Sequence, residues 1–345
     1  MSAQYFDPSG VGQVTEGLFG FPYSVSEAKV VVLPVPWDVT TSYRPGTANG
    51  PSAIAAASPQ LDFFDQDYPR LWEFSVAMAE ISKDWLFANK TLRVKAEQII
   101  HALETGNPLT ESHTAILAEI NVHCAQLHHW VMAQSEQYQS AGQFVVVLGG
   151  EHSVAYGNIV ATAKRFPNMG LLQIDAHQDL RDAYLGFEFS HASVMKRVLT
   201  DTSVTKLVQV GIRDCSPDEI ALANSDSRVA VFSNKYMQGR LFEGESWQSI
   251  VDEIISGLPQ HVYLSIDVDG LDPSNCPHTG TPVPGGLSFD QLAYLLKRLS
   301  DSAKTLVGAD LVEVAPGPEG DDWDANVGAR VLWQMLGCIR RSKLT

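Results

Sequence analysis

Apolar residues follow two rhythms along the chain. Short, nearly unbroken aliphatic runs predict strands at Val30–Leu33, Ser75–Ala79, Phe144–Leu148, Leu171–Asp175, Leu207–Gly211, Val229–Phe232, Val262–Asp267 and Leu306–Val312. Runs such as FVVVL, LLQI and VYLSI lack polar alternation, the mark of strands covered on both faces in a parallel sheet. Between them, helical spacing predicts helices at Leu92–Glu104, Thr114–Gln137, Ala155–Phe166, His191–Leu199, Trp247–Ile255, Phe289–Ser300 and Asn326–Arg340. This alternation calls for an α/β sandwich around a mostly parallel sheet of about eight strands. Residues 1–28 read as a semi-ordered arm. Residues 29–345 read as a single domain, with a helical insertion around 90–139 that is long for one crossover. No repeat, low-complexity tract or Pro/Gly/Ser linker divides the chain.

Composition narrows the function. The 345 residues are 45% hydrophobic and 19% charged, which suits a compact core. Twenty-four Lys and Arg against 40 Asp and Glu give a net charge of −16. That balance works against nucleic acid and anionic membrane surfaces and suits a cationic ligand. No apolar run approaches the ~20 residues of a membrane helix, and MSAQYFDPSGVG has no signal-peptide pattern. Cys124, Cys215, Cys276 and Cys338 form no CxxC and read as free thiols, so a cytoplasmic location is expected.

Four segments place acidic and imidazole groups where predicted strands end: Gly149–Ser153 (GGEHS), Asp175–Asp179 (DAHQD), Ser265–Asp269 (SIDVD) and Asp310–Pro316 (DLVEVAP). Ligand sites in open parallel sheets lie at that edge. On extended backbone, residues two apart share a side, so Asp175, His177 and Asp179 would aim three groups into one cavity, and Asp267 with Asp269 two more. His152, after a Gly-Gly turn, supplies a sixth. Taken singly, these could be a solvated turn, a cap and a helix start. Together they read as a metal centre. Crowded carboxylates repel unless cations neutralise them, and two divalent ions balance four Asp. Carboxylates with imidazole and no thiolate favour Mn²⁺ over structural zinc, although Fe²⁺, Co²⁺ or Ni²⁺ would also be accepted. Paired ions make hydroxide available at neutral pH. By contrast, His128-His129, in an amphipathic stretch, reads as a solvated or packing pair, and Glu319–Asp322 as an acidic loop.

GGEHS, IDAHQDLRD, SIDVDGLDPSNCPHTGTPVPGG, the glutamate of VEVAP and the Arg44–Pro51 stretch resemble the ureohydrolase family of arginases, agmatinases and formimidoylglutamases. The resemblance implies a three-layer α/β/α, arginase-like domain with a binuclear, usually manganese, centre. It implies His152, Asp175, Asp179 and Asp267 as ligands of one ion and His177, Asp175, Asp267 and Asp269 as ligands of the other. Glu313 would hold a guanidinium and His191 would pass a proton to the departing amine, titrating near neutral pH. Asp269 would accept a hydrogen bond or proton from the nucleophile, and Thr281 with Gly280 would line the pocket. Family members are commonly trimers or hexamers, so a homo-oligomer is expected. Where many members have His-Gly this chain has His191-Ala192, and where many have Glu-Val-Asn-Pro it has Glu313-Val314-Ala315-Pro316. The carboxylate-holding loop of arginases is not visible in Leu180–Ser190.

The expected reaction is therefore hydrolysis of a small cationic guanidino compound, most of all agmatine to putrescine and urea. Asp182 and Glu188 make the loop acidic and suited to a terminal ammonium. Arg181 argues the other way, for a carboxylate such as that of guanidinobutyrate, formiminoglutamate or arginine. Free guanidine is a further alternative. A binuclear phosphoesterase would want more Arg or Lys near the site, and a non-catalytic metal-binding relative would typically lose ligands that are all present here.

Overall fold

The computed structural model describes residues 6–12 and 17–343. Its sheet comprises β1 (Val30–Val35), β2 (Val76–Met78), β3 (Phe144–Gly149), β4 (Gly170–Ile174), β5 (Lys206–Val210), β6 (Val229–Phe232), β7 (His261–Asp267) and β8 (Thr305–Val312). Every pairing is parallel, and the order is β2-β1-β3-β8-β7-β4-β5-β6. The two faces can be read from single strands. Val31, Leu33, Val145 and Val147 pack against α2 (Lys83–Glu104) and α3 (Glu111–Ser140) through Leu92, Ile99, Ile120 and Leu127. On the same face, Leu171, Leu207 and Tyr263 meet α4 (Ala155–Arg165) and α5 (Val194–Asp201). Val30, Val32, Val146, Leu264 and Ile266 point the other way, toward α1 (Gly50–Ala57), α8 (Trp247–Ser256), α9 (Phe289–Ser300) and α10 (Trp323–Lys343). Alternate residues of apolar strands thus feed two helical layers, which gives the three-layer sandwich.

Several expectations change. α2 starts at Lys83, capped by Ser82, well before Leu92, because Asn89 is the single buried residue in its first turns and leaves little apolar rhythm to read. With α3 it covers the β1–β3 half of the sheet and is a structural layer of the fold. α1, α6 (Pro217–Ser225) and α7 (Asn234–Phe242) were absent from the sequence reading; α6 and α7 each bury one residue, Glu219 and Met237. The 1–28 segment was expected as an arm, yet Leu18 and Phe19 are 1% and 0% exposed and Phe19 packs on Trp333. Residues 1–5 and 13–16 of that segment lie outside the described residues. Among the described residues, no helix is long and apolar enough to cross a membrane, and the four cysteines are free.

Candidate active site

The four chemistry-bearing segments follow β3, β8, β7 and β4, which are consecutive neighbours in the sheet. Their convergence needs no long-range bending. After β3 the chain turns at Gly150, where a Cβ would sit 1.9 Å from the Trp37 carbonyl oxygen, so only glycine fits. The turn delivers His152 into a short helical turn, 152–154. The expected extended alternation after β4 and β7 does not hold. Asp179 adopts φ 56°, and Val268–Gly270 forms a helical turn after Asp267. Glu313, just past β8, is also left-handed at φ 63°, pinned by its N–H donating to the Gly150 carbonyl at 2.8 Å. Backbone strain at two such positions is characteristic of functional sites.

His152 Nδ1 lies 2.9 Å from Asp179 Oδ2, 3.1 Å from Asp175 Oδ2 and 3.5 Å from Asp267 Oδ2. None of these approaches has hydrogen-bond geometry. On the opposite side of the ring, Nε2 is 2.9 Å from Ser265 Oγ, whose own proton goes to Asp310 Oδ1 at 2.8 Å. Nε2 therefore carries the proton, and the Nδ1 lone pair faces three carboxylates. Such a set is repulsive without a cation and fits a divalent metal ion. His177 Nδ1 lies 3.1 Å from Asp269 Oδ2 and 3.5 Å from Asp175 Oδ1. Two groups can each hold an ion, His152/Asp175/Asp267 and Asp175/His177/Asp269, and they share Asp175. Burial and the Asp175 charge push Asp179 up to about 7. Burial and neighbouring carboxylates, Asp269 first, hold Asp267 well above the usual range.

Beside these groups, Glu313 Oε1 accepts the His152 N–H at 2.8 Å, while Oε2 is buried without a partner. Burial, reinforced by Glu151, pushes its carboxyl up. A Cβ at Gly280 would stand 3.3 Å from Oε2, so glycine leaves that approach open. A cavity of about 140 Å³ adjoins the site, walled by His177, Asp179, Arg181, His191, Thr281 and their neighbours; Glu313 is not among its lining residues. Thr281 Oγ1 donates to Asp269 Oδ2 at 3.2 Å. Arg181 does face the cavity, stacked 4.7 Å over the Tyr184 ring with Nε 3.5 Å from Glu219 Oε2. His191 is present too, its N–H donating to Thr40 Oγ1 at 3.1 Å and Nε2 3.4 Å from Ser42 Oγ. Burial, then the charge of His177, pushes its pKa down to about 3, below the near-neutral titration its residue type implies, so it rests as neutral imidazole.

Sequence reasoning missed the supports of this site. Thr40 donates through both N–H and Oγ1 to the Glu151 carboxylate, each at 2.7 Å. Asp38 and Asn89 exchange two hydrogen bonds, at 2.7 and 2.9 Å. Arg93 of α2 sends Nη1 to the carbonyls of Thr41 at 2.5 Å and of Asp38 and Val39 at 3.3 Å each. Arg213 donates to the carbonyls of Asp269 at 2.6 Å and Leu271 at 3.1 Å. The signal for them was position: Asp38–Thr41 and Arg213 follow β1 and β5 at the same sheet edge.

Fold and site together define an α/β enzyme whose strand-end cavity carries two adjoining histidine–carboxylate groups suited to metal ions. The chain belongs to the Arginase family, whose model matches residues 28–337, and is accordingly a ureohydrolase. It is 37% identical over 295 residues to the N(1)-aminopropylagmatine ureohydrolase of Thermus thermophilus, covering 86% of this chain and 85% of the relative. The crystal structure of a hypothetical agmatinase from Burkholderia thailandensis superposes with a TM-score of 0.71 at 25% identity, covering 95% of this chain and 90% of that one. Proclavaminate amidino hydrolase from Streptomyces clavuligerus shares the fold, with a TM-score of 0.73 at 21% identity over 97% of this chain and 100% of its own.

Proposed function

We propose that this ureohydrolase cleaves agmatine to putrescine and urea at a binuclear manganese centre. His152, Asp175, Asp179 and Asp267 would hold one ion, and His177, Asp175, Asp267 and Asp269 the other. Divalent ions there supply an activated water and stabilise developing negative charge. The observation that carries the substrate class is Glu313 Oε2, a buried carboxylate oxygen with no donor, beside the metal-ligand groups. A guanidinium offers a planar fork of N–H donors to such an oxygen and restores the carboxylate's charge. Asp269 accepts a proton from the attacking nucleophile, with Thr281 fixing its second oxygen. Neutral His191 can take up a proton and hand it to the departing amine.

Asp179, Asp214 and Glu219 make the cavity wall acidic, which supports a substrate with a cationic far end. Arg181 is partly neutralised by Glu219 and its stacking on Tyr184. The Thermus relative supports a second reading, in which the amine tail carries an aminopropyl extension out of the cavity mouth. The free thiols suit a cytoplasmic setting, and exposed Phe64, Phe87 and Phe242 offer apolar surface for a homo-oligomer. The test compares kcat/KM for urea or formamide release from agmatine, N1-aminopropylagmatine, arginine, guanidinobutyrate, formiminoglutamate and guanidine. Agmatine or its aminopropyl derivative is expected to lead. A carboxylate-bearing substrate or guanidine ahead by more than about tenfold, about 1.4 kcal/mol in the transition state, overturns the assignment.

A further inference from the structure

A second cavity, of about 230 Å³, lies between α3 and α4 and shares no lining residue with the catalytic one. His128 lines it. That side chain is 4% exposed, and neither ring nitrogen has a hydrogen-bond partner. The Ser153 carbonyl approaches the ring closely enough to raise its pKa as a weak backbone hydrogen bond, short of full hydrogen-bond geometry. Its neighbour His129 shows the contrast, exposed and with Nδ1 satisfied by the Ala125 carbonyl at 2.7 Å. Burial, then the charge of Arg197, pushes the His128 pKa down to about 3, so the ring is neutral, with its N–H met only weakly by the Ser153 carbonyl and its lone pair unspent. Buried polar groups are nearly always paired, and an unpaired pair of nitrogens at a cavity wall points to a missing partner.

The surroundings define what that partner is. The His128 ring stands 5.1 Å from Tyr156 and 4.9 Å from Phe189, a wall of π-faces. Tyr156 has already spent its hydroxyl on Asp201 at 2.8 Å. Arg197 lies 3.9 Å over Phe189 with Nε donating to the Glu188 carbonyl at 2.8 Å, while Nη2 and Nη1 stand 3.7 and 4.0 Å from the Glu188 and Asp201 carboxylates, too far for direct hydrogen bonds. The volume exceeds the ~150 Å³ that accommodates a benzene ring.

We propose that this cavity is a second small-molecule site, taking a small planar ring that bears a carboxylate. The ring packs against Tyr156 beside the Arg197-capped Phe189, a polar edge meets His128, and the anion meets Arg197. Phe189 is two residues from His191, joined through Ser190, and the proposal extends to transmission of occupancy to the catalytic cavity along that segment.

The probe is 4-fluorobenzoate, followed by ¹⁹F line broadening on the metal-loaded, full-length protein. Saturable binding is expected, weakened at least about tenfold (about 1.4 kcal/mol) by His128→Leu, by Arg197→Gln, or by replacing the probe with 4-fluorobenzamide. His128→Leu should melt at or above the wild-type temperature, because it removes an unsatisfied polar group without opening a large void. Saturating probe should change kcat for urea release while agmatine leaves probe binding intact. Absence of saturable binding up to roughly 10 mM, a range weaker than specific small-molecule sites, would overturn the proposal. So would equal binding to His128→Leu, a lowered melting temperature in that variant, or displacement of the probe by agmatine. Binding with unchanged kcat would overturn the transmission to His191.

Discussion

Replacing Arg93 by Met should cripple the enzyme from a helix that touches no reacting atom. Arg93 is 11% exposed at its side chain and crosses from α2 to the loop after β1. Its Nη1 serves three carbonyls, those of Asp38, Val39 and Thr41. That loop carries Thr40, which bonds both Glu151 and the His191 N–H, and Ser42, which faces the His191 ring. One N–H₂ group has two protons, so about two charged hydrogen bonds are lost, at roughly 1.5–3 kcal/mol each before solvent and relaxation recover part. A net loss of about 2–4 kcal/mol is expected in urea unfolding of the metal-loaded protein. If the loop shifts by even part of an ångström, His191 and Ser42 lose register, which costs about 10–100-fold in kcat, or about 1.4–2.7 kcal/mol. Bound metal should stay unchanged, because Arg93 contacts no metal-ligand residue, and Arg93→Lys should recover part of kcat through one retained bond. A variant that unfolds more easily yet keeps wild-type kcat would refute the positioning argument and leave Arg93 a purely structural brace.

Other outcomes follow from the same geometry. Asp175→Asn should lower metal content measured by elemental analysis and cut kcat by more than about 10³-fold, because this carboxylate serves both groups. Gly280→Ala should raise KM for agmatine in initial-rate assays, since the added methyl would stand 3.3 Å from Glu313 Oε2 and equally close to the Arg44 carbonyl and Thr41 Cγ2. His128 has a folded pKa near 3 against 6.5 when exposed, so the unfolded chain gains a proton first and stability is lost as pH falls below about 6.5. His128→Leu should therefore remove about 2 kcal/mol of acid destabilisation at pH 5 in denaturant titrations. Arg181→Gln should raise kcat/KM for substrates with a cationic tail relative to guanidinobutyrate, by about three- to tenfold, read from paired initial-rate assays.

The sheet was legible because both-face burial writes itself as aliphatic runs, and all eight strands fall within a residue or two of where those runs place them. The metal-ligand candidates were legible for a related reason. Each sits directly after such a run, and four neighbouring strands carry them to one edge. Their detailed path was not legible. Asp179 reaches His152 by a left-handed turn, and period-two alternation says nothing of that. Helices α6 and α7 escaped because each buries one residue, so no apolar stripe marks them, although the Ser216–Glu219 capping box was a readable start signal. Arg93 and Arg213 escaped because their bonds go to backbone carbonyls, which carry no residue-specific signature. The downward shift of the His191 pKa depends on burial by loops distant in sequence, which its residue type alone does not carry.

The proposed function rests on two metal ions held at the ureohydrolase centre and a guanidinium drawn to Glu313. The most direct test strips the full-length protein of metal, titrates Mn²⁺ back, and follows both bound metal and urea release from agmatine, with Glu313→Gln alongside. Under the proposed function, activity appears as the second equivalent binds. Glu313→Gln is expected to bind two equivalents yet lose at least about 100-fold, or about 2.7 kcal/mol, in kcat/KM. Urea release that is complete with one equivalent or none, or a Glu313→Gln enzyme with wild-type kcat/KM, would contradict it.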